Sequence, residues 1–152
     1  MKQYSRIIFL DRSGTCRAPM AAAIFRESFS AEEIEVLSRG LVVAFPEPMN
    51  QKAEAVLISN GIDIGHVTSV QISEEDIRED TLVFALETAH KEKLLRLMPG
   101  VNANQVWVLT EFVGDELEII DPYGGTLTAY GLCYESLKKT LKKLVNILNE
   151  GE

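Results

Sequence analysis

The sequence is short of cysteine, of positive charge and of long apolar runs. Its two cysteines, Cys16 and Cys133, cannot form a disulfide framework, which favours a reducing compartment. Lysine and arginine number 15 against 23 acidic residues, and the resulting formal charge of -8 argues against nucleic acid or an anionic membrane as the main partner. No apolar run approaches the roughly 18 residues of a membrane helix, and the opening MKQYSRIIFL lacks the long apolar stretch of a signal peptide. These absences predict a cytoplasmic protein.

The order of the predicted elements indicates an α/β fold. Apolar runs predict strands at residues 5–10, 34–38, 81–86 and 105–109. Helices are predicted at residues 17–29, at about 50–60, from the third strand to about 98, and at the end of the chain, where Leu137, Leu141, Leu144, Val145 and Leu148 form an apolar stripe. Strands that alternate with helices imply a parallel sheet covered on both faces. No repeat, low-complexity tract or linker divides the chain, so residues 1–152 are predicted to form a single domain.

The segment after the first strand, Asp11-Arg-Ser-Gly-Thr-Cys-Arg17, carries the strongest functional signal. A loop that joins a strand to a helix turns several backbone N–H groups toward one point, and the helix N-terminus adds partial positive charge. Arg17 supplies a planar fork for two oxyanion contacts. In such folds ligands bind at the carboxyl ends of the strands, beside a switch in strand order. The loop is therefore predicted to be a phosphate cradle. The alternative is an ordinary strand-to-helix turn with Arg17 on the surface.

The same loop resembles that of the low-molecular-weight protein tyrosine phosphatases, which carry Cys-x5-Arg-Ser-Pro-Met-Ala after their first strand. Here Arg17-Ala-Pro-Met-Ala21 keeps that register, and Asp11 falls on the cysteine. The family's Asp-Pro-Tyr/Phe segment resembles Asp121-Pro-Tyr123, its Ser-Ala-Gly resembles Ser38-Arg-Gly40, and its Gly-Ile-Asp-x-x-His resembles Gly61-Ile-Asp-Ile-Gly-His66. The resemblance covers essentially the whole chain. It implies a four-stranded parallel sheet in the order 2-1-3-4, with helices on both faces.

The family mechanism implies a role for each matching residue. A thiolate attacks phosphorus, an arginine and the loop amides hold the equatorial oxygens, and an aspartate protonates the leaving group. By position, Asp11 takes the nucleophile's place, Arg17 is the phosphate clamp and Asp121 is the general acid, although an Asp-Pro pair also starts ordinary turns. The other implied site residues are Arg12, Ser13, Gly14, Thr15 and Cys16 in the phosphate-binding loop, and Ser38, Tyr123 and His66 as pocket wall and loop support.

Asp11 argues against turnover by this mechanism. A carboxylate about 3.5 Å from a phosphate dianion is repelled by roughly 9 kcal/mol at an effective dielectric constant near 20. Enzymes that form aspartyl phosphates neutralise this repulsion with a metal. The run Asp11-Arg-Ser13 offers no second acid, and the two histidines lack ligand spacing, so neither a metal nor another cofactor is predicted. Instead, Asp11 is expected to be a built-in anion that accepts the loop N–H bonds, pairs with Arg17, has a lowered pKa and excludes oxyanions.

Three neighbouring positions bear on the same question. Ala18 replaces a family serine whose hydroxyl supports the thiolate, and this second loss favours a natural change over a laboratory mutation. Cys16 stands where the family commonly has a redox partner for the first cysteine. It is predicted to pack under the loop and not to be a displaced nucleophile. Thr15 resembles the phosphoarginine-specific members of the family.

The sequence leaves several functions open. The first is a pseudophosphatase that binds a phosphorylated protein or a small oxyanion such as phosphate, sulfate or vanadate. The second is an active protein-tyrosine or protein-arginine phosphatase, or an arsenate-reductase-like enzyme, whose cysteine at position 11 was replaced. The third is a phospho-acceptor receiver domain. That fold needs paired acids after the first strand and an acceptor aspartate after a third, and the sequence has neither in convincing form.

Overall fold

A parallel sheet forms the centre of the structure, which is a computed structural model describing residues 4–29 and 34–150. Its strands are β1 (Arg6–Asp11), β2 (Glu35–Gly40), β3 (Thr81–Ala85) and β4 (Val106–Val108). They pair in parallel in the order β2-β1-β3-β4. The predicted sheet order is confirmed, whereas the predicted domain limits at residues 1 and 152 lie outside the described residues.

Helices cover both faces of this sheet. Their bounds are α1 (Arg17–Ser28), α2 (Gln51–Ser59), α3 (Thr88–Leu97), α4 (Leu109–Val113) and α5 (Leu127–Glu150). On one face α1, α2 and α5 share a core with the sheet, and on the other face Leu94 of α3 packs against β1, β3 and β4. Among the described residues, no helix is both long and apolar enough to cross a membrane.

Strand β1 positions the candidate site because it is the buried centre of the sheet. It pairs with β2 on one side and β3 on the other. Ile7 and Phe9 face the core under α1 and α5, whereas Ile8 and Leu10 face the core under α3, as the two-residue period of a strand requires. All four are fully buried, so the chain leaves β1 at Asp11 from a fixed point. The loop that follows therefore starts from a rigid base.

Two elements differ from the sequence prediction at their ends. The predicted fourth strand included Leu109, but β4 ends at Val108 and Leu109 begins the short helix α4, which Gly114 ends in the left-handed conformation with φ 85°. An apolar run does not distinguish a buried strand from the first turn of a buried helix, so periodicity could not separate them. Helix α5 begins at Leu127, well before the predicted stripe, because Tyr130, Cys133 and Tyr134 extend its buried face.

Candidate phosphate-binding site

Two glycines bring the loop between β1 and α1 against the end of β2. Gly14 has φ +74°, a left-handed conformation that favours glycine, and a Cβ added to it would lie 3.0 Å from the Gly40 nitrogen. A Cβ added to Gly40 would lie 2.5 Å from the carbonyl carbon of Ser13. Asp11 and Gly40 are also paired in the sheet register. Gly40 therefore has a packing role, since only a residue without a side chain lets the loop approach this closely.

Backbone hydrogen bonds hold the loop from outside. The Leu41 N–H donates to the Asp11 carbonyl at 3.0 Å, and the Asn50 N–H donates to the Thr15 carbonyl at 2.8 Å. The Asn50 side chain also caps α2 by accepting the N–H groups of Lys52 and Ala53 at 2.9 and 3.1 Å. Asn50 was missed as a site residue, although an asparagine before a helix was visible in the sequence as a capping signal.

The Asp11 carboxyl lies at the centre of the loop and is only 3% exposed. Its Oδ1 accepts the Gly14 N–H at 2.5 Å, and its Oδ2 accepts the Ala18 N–H at 2.9 Å. These donors belong to the turn and to the first turn of α1, where N–H groups have no acceptor within the helix. The expectation that Asp11 accepts loop N–H groups is confirmed.

The expected ion pair between Asp11 and Arg17 is wrong. The buried Arg17 guanidinium donates to the Ile119 carbonyl at 2.8 Å and forms an ion pair with Glu87. A second carboxylate, that of Asp121, lies 3.6 Å from the same guanidinium. Glu87 lies between β3 and α3 and was not among the predicted site residues, although the segment after a buried strand is where such folds carry ligand-binding groups.

The pKa of Asp11 also differs from the expectation. Burial raises the pKa of this carboxyl above its ordinary value, and the N–H bonds from Ala18 and Gly14, together with the charge of Arg17, oppose that shift only in part. The expected lowering assumed a partly open loop and a direct contact with Arg17. The structure has neither, so desolvation decides the direction.

This direction predicts how stability depends on pH. The raised folded pKa means that Asp11 contributes stability below its unfolded pKa of about 3.9, and that this contribution disappears as pH rises through the folded pKa. We therefore expect the unfolding free energy of Asp11→Asn, minus that of the unmodified chain, to grow as pH rises above about 4. The growth is at most about 1.4 kcal/mol for each pH unit. Urea denaturation at several pH values measures it.

The difference between the two proteins cancels the titration of every other acid. Asn can accept only one of the two N–H bonds, but that cost adds an offset that does not change with pH. A difference that is flat above pH 4, and that shrinks as pH rises toward 4 from below, would show a lowered pKa and contradict the prediction.

Cys16 and His90 are two further buried titratable residues near the loop, and neither is charged at neutral pH. Cys16 is 6% exposed, and burial raises the pKa of its thiol well above the usual range. It packs in the core under the loop, as predicted, and carries little thiolate. His90 lies 3.7 Å from Glu87, and burial lowers the pKa of its imidazole although that carboxylate opposes the shift.

Asp121 stands at the mouth of the site. Its side chain is 48% exposed, and its two oxygens accept the Tyr123 N–H at 3.1 Å and approach Arg17 at 3.6 Å. The Lys52 ammonium donates to the Gly125 carbonyl at 2.6 Å and so ties this segment to α2. Tyr123 is 81% exposed. The structure therefore brings Asp121 to Arg17 and leaves the Tyr123 ring exposed at the rim.

Of the remaining predicted residues, Arg12, Ser13 and Thr15 belong to the loop, whereas Ser38 and His66 lie outside it. Ser13 and Thr15 lie within the loop and share a hydrogen bond between their hydroxyls at 2.8 Å, and the neighbouring Arg12 is exposed. Ser38 is half-buried on β2. His66 is exposed and makes no hydrogen bond or ion pair with the loop among the described residues. A histidine that supports the loop through its side chains would need a polar partner, and Gly14 and Ala18 provide none.

The protein has an α/β fold, and its candidate phosphate-binding site is the loop between β1 and α1 at the carboxyl edge of the sheet. No group of three or more His, Cys, Asp or Glu side chains is placed to hold a metal within residues 4–29 and 34–150. The sequence model of the low molecular weight phosphotyrosine protein phosphatase family matches residues 6–152. The chain belongs to that family.

Relatives from two bacteria match the chain over nearly its whole length. A protein-arginine-phosphatase of Geobacillus stearothermophilus is 32% identical over 144 residues, covering 94% of this chain and 95% of its own. The low molecular weight protein-tyrosine-phosphatase PtpB of Staphylococcus aureus is 31% identical over 147 residues, covering 94% and 99%.

Solved structures agree with this assignment. A low molecular weight protein tyrosine phosphatase from T. tengcongensis superposes with a TM-score of 0.88 at 34% identity, covering 94% of this chain and 99% of its own. The YwlE arginine phosphatase from G. stearothermophilus has a TM-score of 0.87 at 30% identity, covering 97% and 94%. A YwlE mutant with a phosphorylated active-site serine has a TM-score of 0.84 at 28% identity, covering 95% of each chain.

Proposed function

We propose that this chain binds a phosphorylated protein side chain or a small oxyanion in the loop from Asp11 to Arg17 without forming a phosphoenzyme. The observation that carries the proposal is the Asp11 carboxyl, which holds the centre of the loop through the Gly14 and Ala18 N–H groups. In the register of the family motif this is the place of the nucleophilic cysteine. The proposal is therefore a pseudophosphatase that keeps the binding geometry.

Loss of turnover follows from the chemistry at this place. A carboxylate is a weaker nucleophile than a thiolate, and a dianion about 3.5 Å away is repelled by roughly 9 kcal/mol at an effective dielectric constant near 20. Among the described residues, no group of three or more His, Cys, Asp or Glu side chains is placed to hold a metal ion beside that charge. Cys16 does not replace the missing nucleophile, since burial keeps it a thiol.

Retention of binding is supported by the groups around Asp11. Arg17 is buried and held by Glu87 and the Ile119 carbonyl, so its guanidinium fork is fixed before any ligand arrives. The N-terminus of α1 opens at the same loop and adds partial positive charge. Asp121 faces this guanidinium from the rim. Arg17 and the N-terminus of α1 are the groups proposed to bind a tetrahedral anion in a chain that is acidic overall.

The ligand that this site is proposed to bind is a phosphorylated protein side chain. The curated relatives are named protein-arginine and protein-tyrosine phosphatases, and Thr15 resembles the arginine-specific members. The Thr15 hydroxyl shares a hydrogen bond with the Ser13 hydroxyl within the same loop. These observations favour phosphoarginine over phosphotyrosine as the proposed group.

The proposal predicts binding without hydrolysis. Hydrolysis of an aryl phosphate by the unmodified chain should not exceed that by Arg17→Ala, in the same preparation and buffer. A calorimetric titration with inorganic phosphate should show weaker binding by Arg17→Ala, by roughly 10- to 100-fold, because one charge-assisted pair is lost. Arg17→Lys is the matched control, since it keeps the charge without the fork. Turnover by the unmodified chain that Arg17→Ala abolishes would contradict the proposal.

The alternative is an active phosphatase whose natural residue at position 11 is cysteine. The names of the relatives favour it, because they are phosphatases at about one-third identity over the whole chain. Codon 11 of the encoding gene separates the two. A cysteine codon supports the alternative, and an aspartate codon supports the pseudophosphatase.

A further inference from the structure

We propose that Asp11 contacts the bound oxyanion itself as a neutral carboxyl, and that one proton is taken up at Asp11 when the oxyanion binds. This inference rests on the proposed function, because it requires that the loop bind an oxyanion. Asp11 thereby has a role in binding the oxyanion. The sequence had instead predicted a charged Asp11 that excludes oxyanions.

The Asp11 carboxyl lies at the same loop N–H groups that a bound oxyanion would approach. Its oxygens accept the Gly14 and Ala18 N–H groups, one from the turn of the loop and one from the first turn of α1, so its plane is fixed at the centre of the cradle. At 3% exposure there is almost no water to screen it. An anion held by the same loop therefore shares a dry site with this carboxyl, where like charges repel strongly.

No cation is in contact with Asp11 to balance that repulsion. Arg17, the nearest buried cation, is turned toward Glu87, the Ile119 carbonyl and Asp121. Its single positive charge already faces two carboxylates. A dianion in the cradle would add two negative charges to a set that has no spare positive charge.

Charged and titratable groups surround Asp11 and its loop. The charges of Arg17 of α1 and His90 of α3 act on Asp11 itself. Cys16 and the exposed Arg12 belong to the loop, Glu87 lies after β3, Asp121 lies before α5, and the half-buried Arg39 of β2 is paired with Asp76. Burial keeps Cys16 a neutral thiol and disfavours protonation of His90. A proton on Asp11 is therefore the most accessible source of neutralisation.

Protonation suits the bonds that the carboxyl already makes. A neutral carboxyl keeps lone pairs that can accept the two backbone N–H groups, and it gains one O–H that can donate to a ligand oxygen. Burial alone already raises the pKa of Asp11, and a neighbouring dianion raises it further. The proton comes from solvent and no bond to phosphorus forms, so the ligand leaves unchanged.

Sulfate is the probe that isolates this proton, because sulfate remains a dianion at the pH values used, whereas phosphate itself titrates near neutrality. Calorimetric titration at one pH, in two buffers that differ in ionisation enthalpy, counts the protons taken up. We expect about one proton per bound sulfate between the pKa values of the free and bound states. Across that window the affinity should fall about tenfold for each unit rise in pH.

Two variants identify the group that takes up the proton. Asp11→Asn should bind sulfate with no proton uptake and no slope with pH, and more tightly than the unmodified chain at neutral pH. His90→Gln removes the other group that titrates in this range and should keep both the uptake and the slope. Loss of the uptake in His90→Gln with its retention in Asp11→Asn would assign the proton to His90 and overturn the inference.

A measurement on the unmodified chain keeps the test valid if Asp11→Asn does not fold. The ¹³C resonance of the Asp11 carboxyl, followed against pH with and without sulfate, should report a pKa that rises on binding. Sulfate binding with an unchanged Asp11 pKa, or without proton uptake, overturns this inference and leaves the proposed function standing. Absence of sulfate and phosphate binding in the unmodified chain across the pH range overturns the proposed function, and the inference with it.

Discussion

Asp11→Cys is expected to hydrolyse an aryl phosphate at least roughly a hundredfold faster than the unmodified chain, since removing a nucleophile commonly costs enzymes far more than this. A thiol at position 11 would lie beside the N–H groups of Gly14 and Ala18, at the N-terminus of α1. These N–H groups and the helix N-terminus favour a thiolate, and they act against the desolvation that raises the pKa of Asp11 at the same position. Arg17 is the proposed clamp for the phosphoryl group, and Asp121, which lies 3.6 Å from its guanidinium, is the proposed proton donor to the leaving group. Steady-state hydrolysis of an aryl phosphate measures the gain.

A second substitution separates the nucleophile from its support. In the family a serine hydroxyl at position 18 supports the thiolate, so Ala18→Ser added to Asp11→Cys should increase turnover further, by up to about tenfold for one hydrogen bond. Ala18→Ser alone is the matched control and should remain inactive. An inactive Asp11→Cys that still binds sulfate would show that binding geometry survives while the catalytic arrangement does not. That outcome would contradict the roles given to Arg17 and Asp121.

The fold could be predicted because its signals are local. The run from Ile7 to Leu10 is apolar without interruption, and the structure buries all of it at the centre of the sheet. Gly14 and Arg17 mark the loop that leaves this strand, and alternation with helices implies a parallel sheet. The order of the strands followed from the family resemblance, since periodicity alone does not decide which strands are neighbours.

The site was only partly predictable because its contacts join distant segments. Arg17 pairs with Glu87 across 70 positions of sequence, and no local pattern connects them. The same absence of information produced the wrong pKa for Asp11. Both the burial of that carboxyl and the orientation of Arg17 are set by packing, and together they reverse a shift that the helix N-terminus alone would cause. Asp121, by contrast, was found because its Asp-Pro-Tyr segment is a sequence motif.

Gly40→Ala is expected to lower the free energy of unfolding by about 2 to 3 kcal/mol, at the upper end for overpacked sites. The added Cβ would lie 2.5 Å from the Ser13 carbonyl carbon and 2.7 Å from the Gly14 nitrogen. Both are backbone atoms, so no side-chain rotation can relieve the contact. The loop must move away from β2, and Asp11 is paired with Gly40 at that point. Sulfate affinity should therefore fall together with stability.

Gly131→Ala is the matched control for this substitution. Gly131 lies in α5, where an added Cβ meets no atom within 4 Å, so alanine should stabilise the helix by roughly 0.5 to 1 kcal/mol. Denaturation of each protein in urea, followed by the fluorescence of Trp107, the single tryptophan of the chain, measures both effects. Because Trp107 lies on β4, which β1 and β3 separate from β2, its signal reports global unfolding and not the movement of the loop. Equal stability of Gly40→Ala and the unmodified chain, with unchanged sulfate affinity, would show that the loop does not depend on this close approach. The loop would then have to be held by the backbone hydrogen bonds that Leu41, Val42 and Asn50 donate to it.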